Sequence, residues 1–271
     1  MAQKIGFKIG NTQEECKETP ITEPAQEIIP RKSVVQVRFP GRSGTLAYYN
    51  DKFDLHCGDM VFVEGKLENM RGSVVDVSYN FKIKVSEYKR VLSVVDTDVR
   101  GQFFMAGSHF ITFNPTALPR SKAVTWFKAP ETESEEYTSG SDDSAFYLDY
   151  LGSMNVSSAI AERGQDYYMN NRVRYLSLEG THGYAIIEGS KAYEVEFEYS
   201  KGQISGLTCS CFCGYNCKHE FAAMQQLRET LGLIEQYYEE QFENSGYFAA
   251  VCKSTMFALV IDNKVTGSFI L

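Results

Sequence analysis

Two spaced pairs of cysteine and histidine residues within eleven positions constrain this chain more than any other feature. Cys209, Cys211, Cys217 and His219 follow the pattern C-x-C, five intervening residues, then C-x-H. Thiolate and imidazole are ligands that suit Zn²⁺, and a closed zinc site needs four of them in a tetrahedron, with Zn–S distances of about 2.3 Å and Zn–N distances of about 2.0 Å. The pattern therefore predicts a zinc site made of these four side chains.

The residues between the two ligand pairs suit a return of the chain. In a C-x-C unit that leaves a strand, the alternation of side chains puts both cysteines of the first pair on the same side. Gly214 and Asn216 then tolerate the positive φ of a tight reversal. We expect the second pair to follow this reversal at the start of a helix.

Cys213 lies between the two pairs and leaves alternatives open. It could replace one of the four ligands, but we expect a free thiol because its inclusion would strain the return loop. Clustered cysteines also occur in redox centres, disulfide frameworks and apolar cores. The first ten residues, MAQKIGFKIG, lack the apolar run of a secretory signal. This predicts a reducing, cytoplasmic compartment without lasting disulfides, and a thiol-based redox enzyme using Cys213 is the alternative function.

The ligand cluster and the residues around it resemble the SWIM-type zinc finger. The C-x-C pair, the variable loop and the CKHEFAA sequence carry the resemblance, and RGQDYY, NNRVRYLSLEG and GSKAYEVEFEYSKGQISGLTCSC are similar to the strand-rich lead-in of bacterial members. The similarity covers residues 157–229, and the extra Cys213 is a departure from the pattern. It implies a zinc-stabilised, non-catalytic module that binds nucleic acid or protein, often associated with Swi/Snf-type helicases.

Hydropathy and turn residues divide the chain into four parts and predict an α+β fold. Residues 1–31 contain three prolines and little periodicity, which predicts a flexible arm. Residues 32–128 contain short alternating runs separated by glycines, typical of a small antiparallel β-barrel. Residues 129–146 include the sequence ETESEEYTSGSDDS, with six acids and no base, which predicts an acidic linker or loop. Residues 147–271 form the predicted zinc finger domain.

Within residues 147–271 the pattern changes from period two to helical spacing. Strands are predicted over residues 173–178, 183–187, 192–199 and 203–209, with one wet face. Apolar residues from Phe221 to Phe242 recur every three or four positions, which predicts an amphipathic helix as far as about Glu243, divided or bent at Gly232. The remaining residues, 247–271, are predicted to form paired strands.

Charge and absent motifs narrow the function. The net charge of −8 has the wrong sign for wrapping nucleic acid, but residues 31–100 contain twelve lysines and arginines against nine acids. Any phosphate contact is expected there, although such lysines also protect sheet edges from pairing. The chain lacks the G-x-x-x-x-G-K-[ST], G-x-S-x-G and H-E-x-x-H motifs and any apolar run long enough for a bilayer. We therefore predict a non-catalytic zinc protein whose partner is DNA or a nucleic-acid-processing protein such as a helicase.

Overall fold

A computed structural model describes residues 4–7, 30–130, 144–211, 213–261 and 269–270. The chain forms two compact units. The larger contains Met1–Phe7, Thr97–Phe127 and Glu131–Leu271, and the smaller contains Lys8–Asp96 and Lys128–Pro130. The division differs from the predicted boundary near residue 128, because the segment that follows residue 96 joins the larger unit.

The secondary structure mixes helices with antiparallel sheets, which confirms the α+β class. The strands are β1 (Lys4–Phe7), β2 (Ser33–Arg38), β3 (Leu46–Asn50), β4 (Met60–Val63), β5 (Gly72–Ser78), β6 (Val91–Val94), β7 (Gln102–Ala106), β8 (His109–Thr112), β9 (Phe146–Tyr147), β10 (Val173–Glu179), β11 (His182–Glu188), β12 (Ala192–Ser200), β13 (Gln203–Cys209), β14 (Tyr247–Cys252) and β15 (Phe269–Ile270). The helices are α1 (Arg120–Thr125), α2 (Ser158–Met169), α3 (Lys218–Tyr237), α4 (Glu239–Ser245) and α5 (Lys253–Met256), and a π-helical turn covers Phe257–Ile261.

A ten-stranded antiparallel sheet organises the larger unit. Its strand order is β15-β1-β7-β8-β14-β10-β11-β12-β13-β9. The four predicted strands β10 to β13 are confirmed and form a meander in sequence order. β14 lies between β8 and β10, pairing Ala250 with Ile111 on one side and with Leu176 on the other.

Helices α2 and α3 cover one face of this sheet over an apolar core. The core joins side chains of the sheet to the apolar stripe of α3, and includes Leu176, Leu178, Ala185, Ile187, Val195, Phe197, Phe221, Met224 and Leu227. The segment before α1 lies against the opposite face of the sheet. There the carbonyl of Leu118 accepts hydrogen bonds from the hydroxyls of Tyr175 (3.2 Å) and Tyr247 (3.4 Å). The helical stripe predicted from the sequence therefore packs on the sheet, as its period requires.

The smaller unit contains a five-stranded antiparallel sheet of order β3-β2-β5-β4-β6 around a valine-rich core. A β-barrel was predicted here, but no closed barrel exists among the described residues. The edge strand β3 meets the chain just before β6 at an isolated bridge between Tyr49 and Arg90. In the described part of the chain, β3 and β6 form no ladder with each other.

Three further predictions differ from the structure. Residues 4–7 of the predicted flexible arm form β1, which pairs with β7 and β15. The long helix breaks at Tyr238 rather than at Gly232, because the Tyr238 ring is buried against Phe104 and its hydroxyl donates to the carbonyl of Met105 (2.8 Å).

In the predicted C-terminal strand pair, only β14 forms as a regular strand before α5. Both edges of β14 are already occupied by β8 and β10, so no position for a hairpin partner remains beside it. The acidic stretch at residues 131–143, and most of the predicted arm, lie outside the described residues.

Candidate metal centre

The first ligand pair lies where β13 leaves the sheet. The pairing of β12 with β13 shifts register between Glu196 and Glu198, and Gly206 has a φ of +58°, a backbone conformation that glycine adopts readily. Ile204, before this bulge, lies in the core, and Leu207 and Cys209, after it, pack against the same core. The extra residue thus changes which side chains face inward, and it directs Cys209 to the side of the sheet that α3 covers.

The second ligand pair lies at the start of α3. Cys217 is the residue that precedes the first helical residue, and its backbone N–H donates to the carboxylate of Glu220 (2.6 Å). A carboxylate at this position also interacts favourably with the positive end of the helix dipole. His219 follows in the first turn, so the start of the helix determines where both ligands lie.

The structure brings all four predicted ligands together. The Nδ1 atom of His219 lies 3.7 Å from the sulfur of Cys209 and 3.7 Å from the sulfur of Cys217. All four ligand atoms lie within 4.8 Å of one another. Tetrahedral zinc with ordinary bond lengths would place sulfur and nitrogen roughly 3.6 Å apart. The four side chains can therefore hold a metal ion with Nδ1 as the histidine ligand.

The second pair of the cluster is buried in the protein, and the first pair is partly exposed to solvent. Cys217 and His219 are 3% and 4% exposed, whereas Cys209 and Cys211 are half-buried. The backbone N–H of Cys211 donates to the sulfur of Cys209 (3.4 Å), a contact that favours the thiolate form. Cys213 is exposed and does not belong to the four-residue group.

The thiols influence one another strongly. A hydrogen bond with Cys217, together with burial, raises the pKa of Cys209, while the same hydrogen bond lowers the pKa of Cys217 to about 3. Burial and the charge of Cys217 raise the pKa of Cys211 to about 12. A metal ion binds the thiolate form of cysteine, so its binding would release protons from this cluster and should strengthen as pH rises.

Two tyrosines hold the imidazole of His219, and both were missed from the sequence. The ring of Tyr193 stacks on it, and the ring of Tyr167 meets it edge-on with centroids 5.4 Å apart. The Nε2 atom of His219 is buried and has no hydrogen-bond partner in the described residues. The alternation in the sequence places Tyr193 on the same face of β12 as Val195. The pairing of Val195 with Cys209, which brings that face to the cluster, appears only in the structure.

Close packing of α2 against α3 supports the second ligand pair. A Cβ atom added at Gly164 of α2 would lie 2.7 Å from the ring of Phe221 and 3.0 Å from the carbonyl oxygen of Lys218. Both contacts belong to the first turn of α3. A glycine at this position therefore permits the approach of the helix that carries Cys217 and His219.

The chain shows limited similarity to known proteins. No model of a protein family matches it, and no solved structure matches it. A stretch of 72 residues is 36% identical to an uncharacterized protein of Methanocaldococcus jannaschii. This match covers 27% of the present chain and 30% of the length of that relative. In the described part of the chain, no helix combines the length and the apolar character needed to cross a membrane.

Proposed function

We propose that this chain is a zinc-binding interaction protein of SWIM type, in which the metal joins β13 to the start of α3 and takes no part in catalysis. The observation that supports this proposal most directly is the meeting of Cys209, Cys211, Cys217 and His219 within 4.8 Å. The proposed partner is a nucleic acid or a nucleic-acid-processing protein such as a helicase.

The donor set favours zinc. Three sulfurs and one imidazole nitrogen suit a borderline-soft ion in a tetrahedral site. The proximity of three sulfurs would be repulsive if all were thiolates, and a divalent cation offsets this charge. Metal binding in comparable finger sites contributes on the order of 10 kcal/mol, which is also folding energy because the site does not exist in the unfolded chain.

A structural role follows from the number of ligands. Four protein ligands complete a tetrahedron and leave no position for a water molecule or a substrate, which hydrolytic zinc requires. The position of the ligands at the junction of a strand and a helix also favours this role. In this proposal zinc stabilises a binding surface.

The distribution of charge supports a nucleic-acid partner for the smaller unit. Residues 30–96 contain eleven lysines and arginines and eight acids, whereas the whole chain has a net charge of −8. Since phosphate contacts require basic side chains, direct binding would take place at local clusters of them. The larger unit carries the acidic excess of the chain, which disfavours contact with phosphates. A protein partner is therefore the second form of the same proposal.

Metal content tests the metal-binding half of the proposal. The purified chain should contain one zinc per molecule by elemental analysis, and cobalt substitution should give the absorption bands of tetrahedral thiolate coordination. Cys217→Ser and His219→Ala should lose metal and stability, whereas Cys213→Ser should retain both. If Cys213→Ser released the metal, the ligand set would be wrong, and a redox function involving Cys213 would gain support.

Fluorescence anisotropy tests whether the chain binds nucleic acid, the second half of the proposal. Labelled single-stranded and duplex oligonucleotides are titrated with the zinc-loaded chain at low and at moderate salt. Binding that weakens as salt rises indicates phosphate contacts, and the slope of log K against log salt gives their number. An absence of binding at micromolar protein in low salt would exclude a direct nucleic-acid partner and leave the protein-partner form.

A further inference from the structure

One end of the five-stranded sheet in the smaller unit collects basic side chains. Val34 pairs with Ser78 and Ser33 pairs with Asn50, so the start of β2 and the ends of β3 and β5 lie together. The residues that flank these positions are Arg31, Lys32, Lys52, Tyr79 and Lys82, which we call the basic end. The ring of Phe81, the residue before Lys82, packs edge-on against Tyr49 of β3 with centroids 6.2 Å apart.

The lysines of the basic end have no ion-pair partner among the described residues. Lys32, Lys52 and Lys82 are exposed, and each lacks a carboxylate partner within 4.0 Å in the described part of the chain. Other cations of the same unit differ, since Lys84 pairs with Glu87 at 3.2 Å and Arg90 pairs with Asp51. These three ammonium groups and Arg31 outnumber the two carboxylates at the same end, Asp51 and Asp54, and so form a local positive field on a chain that is acidic as a whole.

An aromatic ring lies among these charges. The guanidinium of Arg31 lies over the ring of Tyr79, 4.4 Å from its centroid, and Tyr79 remains 37% exposed. Exposed tyrosine and arginine planes both stack on nucleobases, and proteins that bind single strands combine such planes with basic side chains along the backbone. Duplex bases are already paired and stacked, so a duplex would gain little from Tyr79.

We propose that the basic end binds single-stranded nucleic acid. Lys32, Lys52 and Lys82 contact phosphates, and Tyr79 with Arg31 stacks on an unpaired base. This inference rests on the proposed function, to which it adds the location and the strandedness of the nucleic acid. The metal centre belongs to the other compact unit, so the two parts can be tested separately.

The charge contribution is tested with a matched pair of variants in the full zinc-loaded chain. Lys32→Gln/Lys82→Gln removes two charges from the basic end, and Arg38→Gln/Arg42→Gln removes two exposed charges from the end of β2 and the turn that follows it, at the opposite end of that strand. Anisotropy with a labelled oligothymidine of about 12 nucleotides reports affinity. The first variant should bind roughly tenfold more weakly and reduce the salt slope by about 1.4, as expected for two lost phosphate contacts. The control should retain most of the affinity and the slope.

The stacking contribution is tested with a second pair. Tyr79→Leu should weaken binding of the single strand about fivefold or more without changing the salt slope. Tyr150→Leu removes an even more exposed ring, 69% exposed, from the other unit and should leave binding unchanged. Thermal melting of each variant checks that the fold is retained.

The possible outcomes separate this inference from the proposed function. If the chain binds single strands but the basic-end variants behave like their controls, the location is wrong and nucleic-acid binding stands. Tighter binding of duplex than of single strand, with no effect of Tyr79→Leu, overturns the single-strand assignment. Failure of the unaltered chain to bind any oligonucleotide overturns both this inference and the direct nucleic-acid partner, while the metal assignment rests on its own test.

Discussion

The imidazole of His219 lies nearly parallel to the ring of Tyr193, with centroids 4.1 Å apart and an angle of 17° between the planes. Tyr167 packs edge-on against the same imidazole. The two rings fix the orientation in which Nδ1 points between the sulfurs of Cys209 and Cys217. The single nitrogen ligand is therefore positioned by aromatic packing.

Removing the stacked ring should weaken metal binding. We expect Tyr193→Leu to lower zinc affinity about tenfold, in the range seen when groups that orient a ligand are lost. Tyr193→Phe keeps the ring and loses the contact of its hydroxyl with Ser190 (2.8 Å), so its affinity should stay close to that of the unaltered chain. Competition with a chromogenic chelator measures both. Equal losses in the two variants would show that the ring does not orient the ligand.

The helix contact at Gly164 should tolerate no added methyl group. Gly164→Ala places a Cβ against Phe221 and the carbonyl of Lys218, and we expect a loss of about 1–3 kcal/mol from overpacking despite the better helix propensity of alanine. Gly232→Ala is the matched control, because a Cβ there meets nothing within 4 Å. It should stabilise α3 by up to about 1 kcal/mol. Urea unfolding of the metal-loaded variants gives both values, and the same sign for both would contradict the packing.

A buried histidine should make stability depend on pH. His109 is fully buried, its Nε2–H donates to the carbonyl of Val173 (2.8 Å), and Nδ1 contacts the hydroxyl of Ser108 (2.9 Å). Burial lowers the pKa of His109 from 6.5 to about 4, so the unfolded chain takes up this proton first as pH falls. The stabilisation is present above pH 6.5, and about 3 kcal/mol of it should be lost between pH 6.5 and pH 4.

His109→Gln provides the comparison for that pH range. Glutamine keeps an N–H group for Val173 and does not titrate. The variant should show a smaller decrease in unfolding free energy between pH 6.5 and pH 4 than the unaltered chain, measured by urea titrations at each pH. Identical pH profiles would mean that His109 is not the responsible group.

The carboxylate at the start of α3 should contribute to stability. Glu220→Ala removes the acceptor for the N–H of Cys217, whose bond is 2.6 Å long, and we expect a loss of about 1 kcal/mol. Glu239→Ala, an exposed acid in the first turn of α4, serves as the control and should cost less. Thermal melting with zinc bound compares the two. A larger loss for Glu239→Ala would exclude the proposed role of Glu220.

The parts of the molecule that were predictable from the sequence depend on short-range patterns. The clustering of Cys209, Cys211, Cys217 and His219 follows from spacing within eleven residues, and the alternation of Tyr193, Val195 and Phe197 with glutamates identified β12. The apolar stripe of α3 was equally local. In each case residues a few positions apart define the pattern, so no knowledge of distant partners was needed.

The features that were missed depend on contacts between distant segments. The break at Tyr238 results from its contact with Met105, which is 133 positions away in the sequence. Whether the sheet of the smaller unit closes depends on whether its two edge strands, β3 and β6, pair with each other. The alternation of apolar residues along each strand is the same in an open sheet and in a barrel. The bulge at Gly206 had a visible glycine, but its effect on the direction of Cys209 requires the pairing with β12.

The position of β14 between β8 and β10 has a consequence for biosynthesis. All four residues of the candidate metal centre have been translated by residue 219, and the smaller unit ends its main segment at Asp96. Because β14 pairs with both, the hairpin of β7 with β8 and the meander of β10 to β13 cannot form one continuous sheet before residues 247–252 have been translated. A nascent chain arrested before that point would have all four residues of the candidate metal centre and two unpaired sheet edges, a form prone to aggregation and a substrate for chaperones.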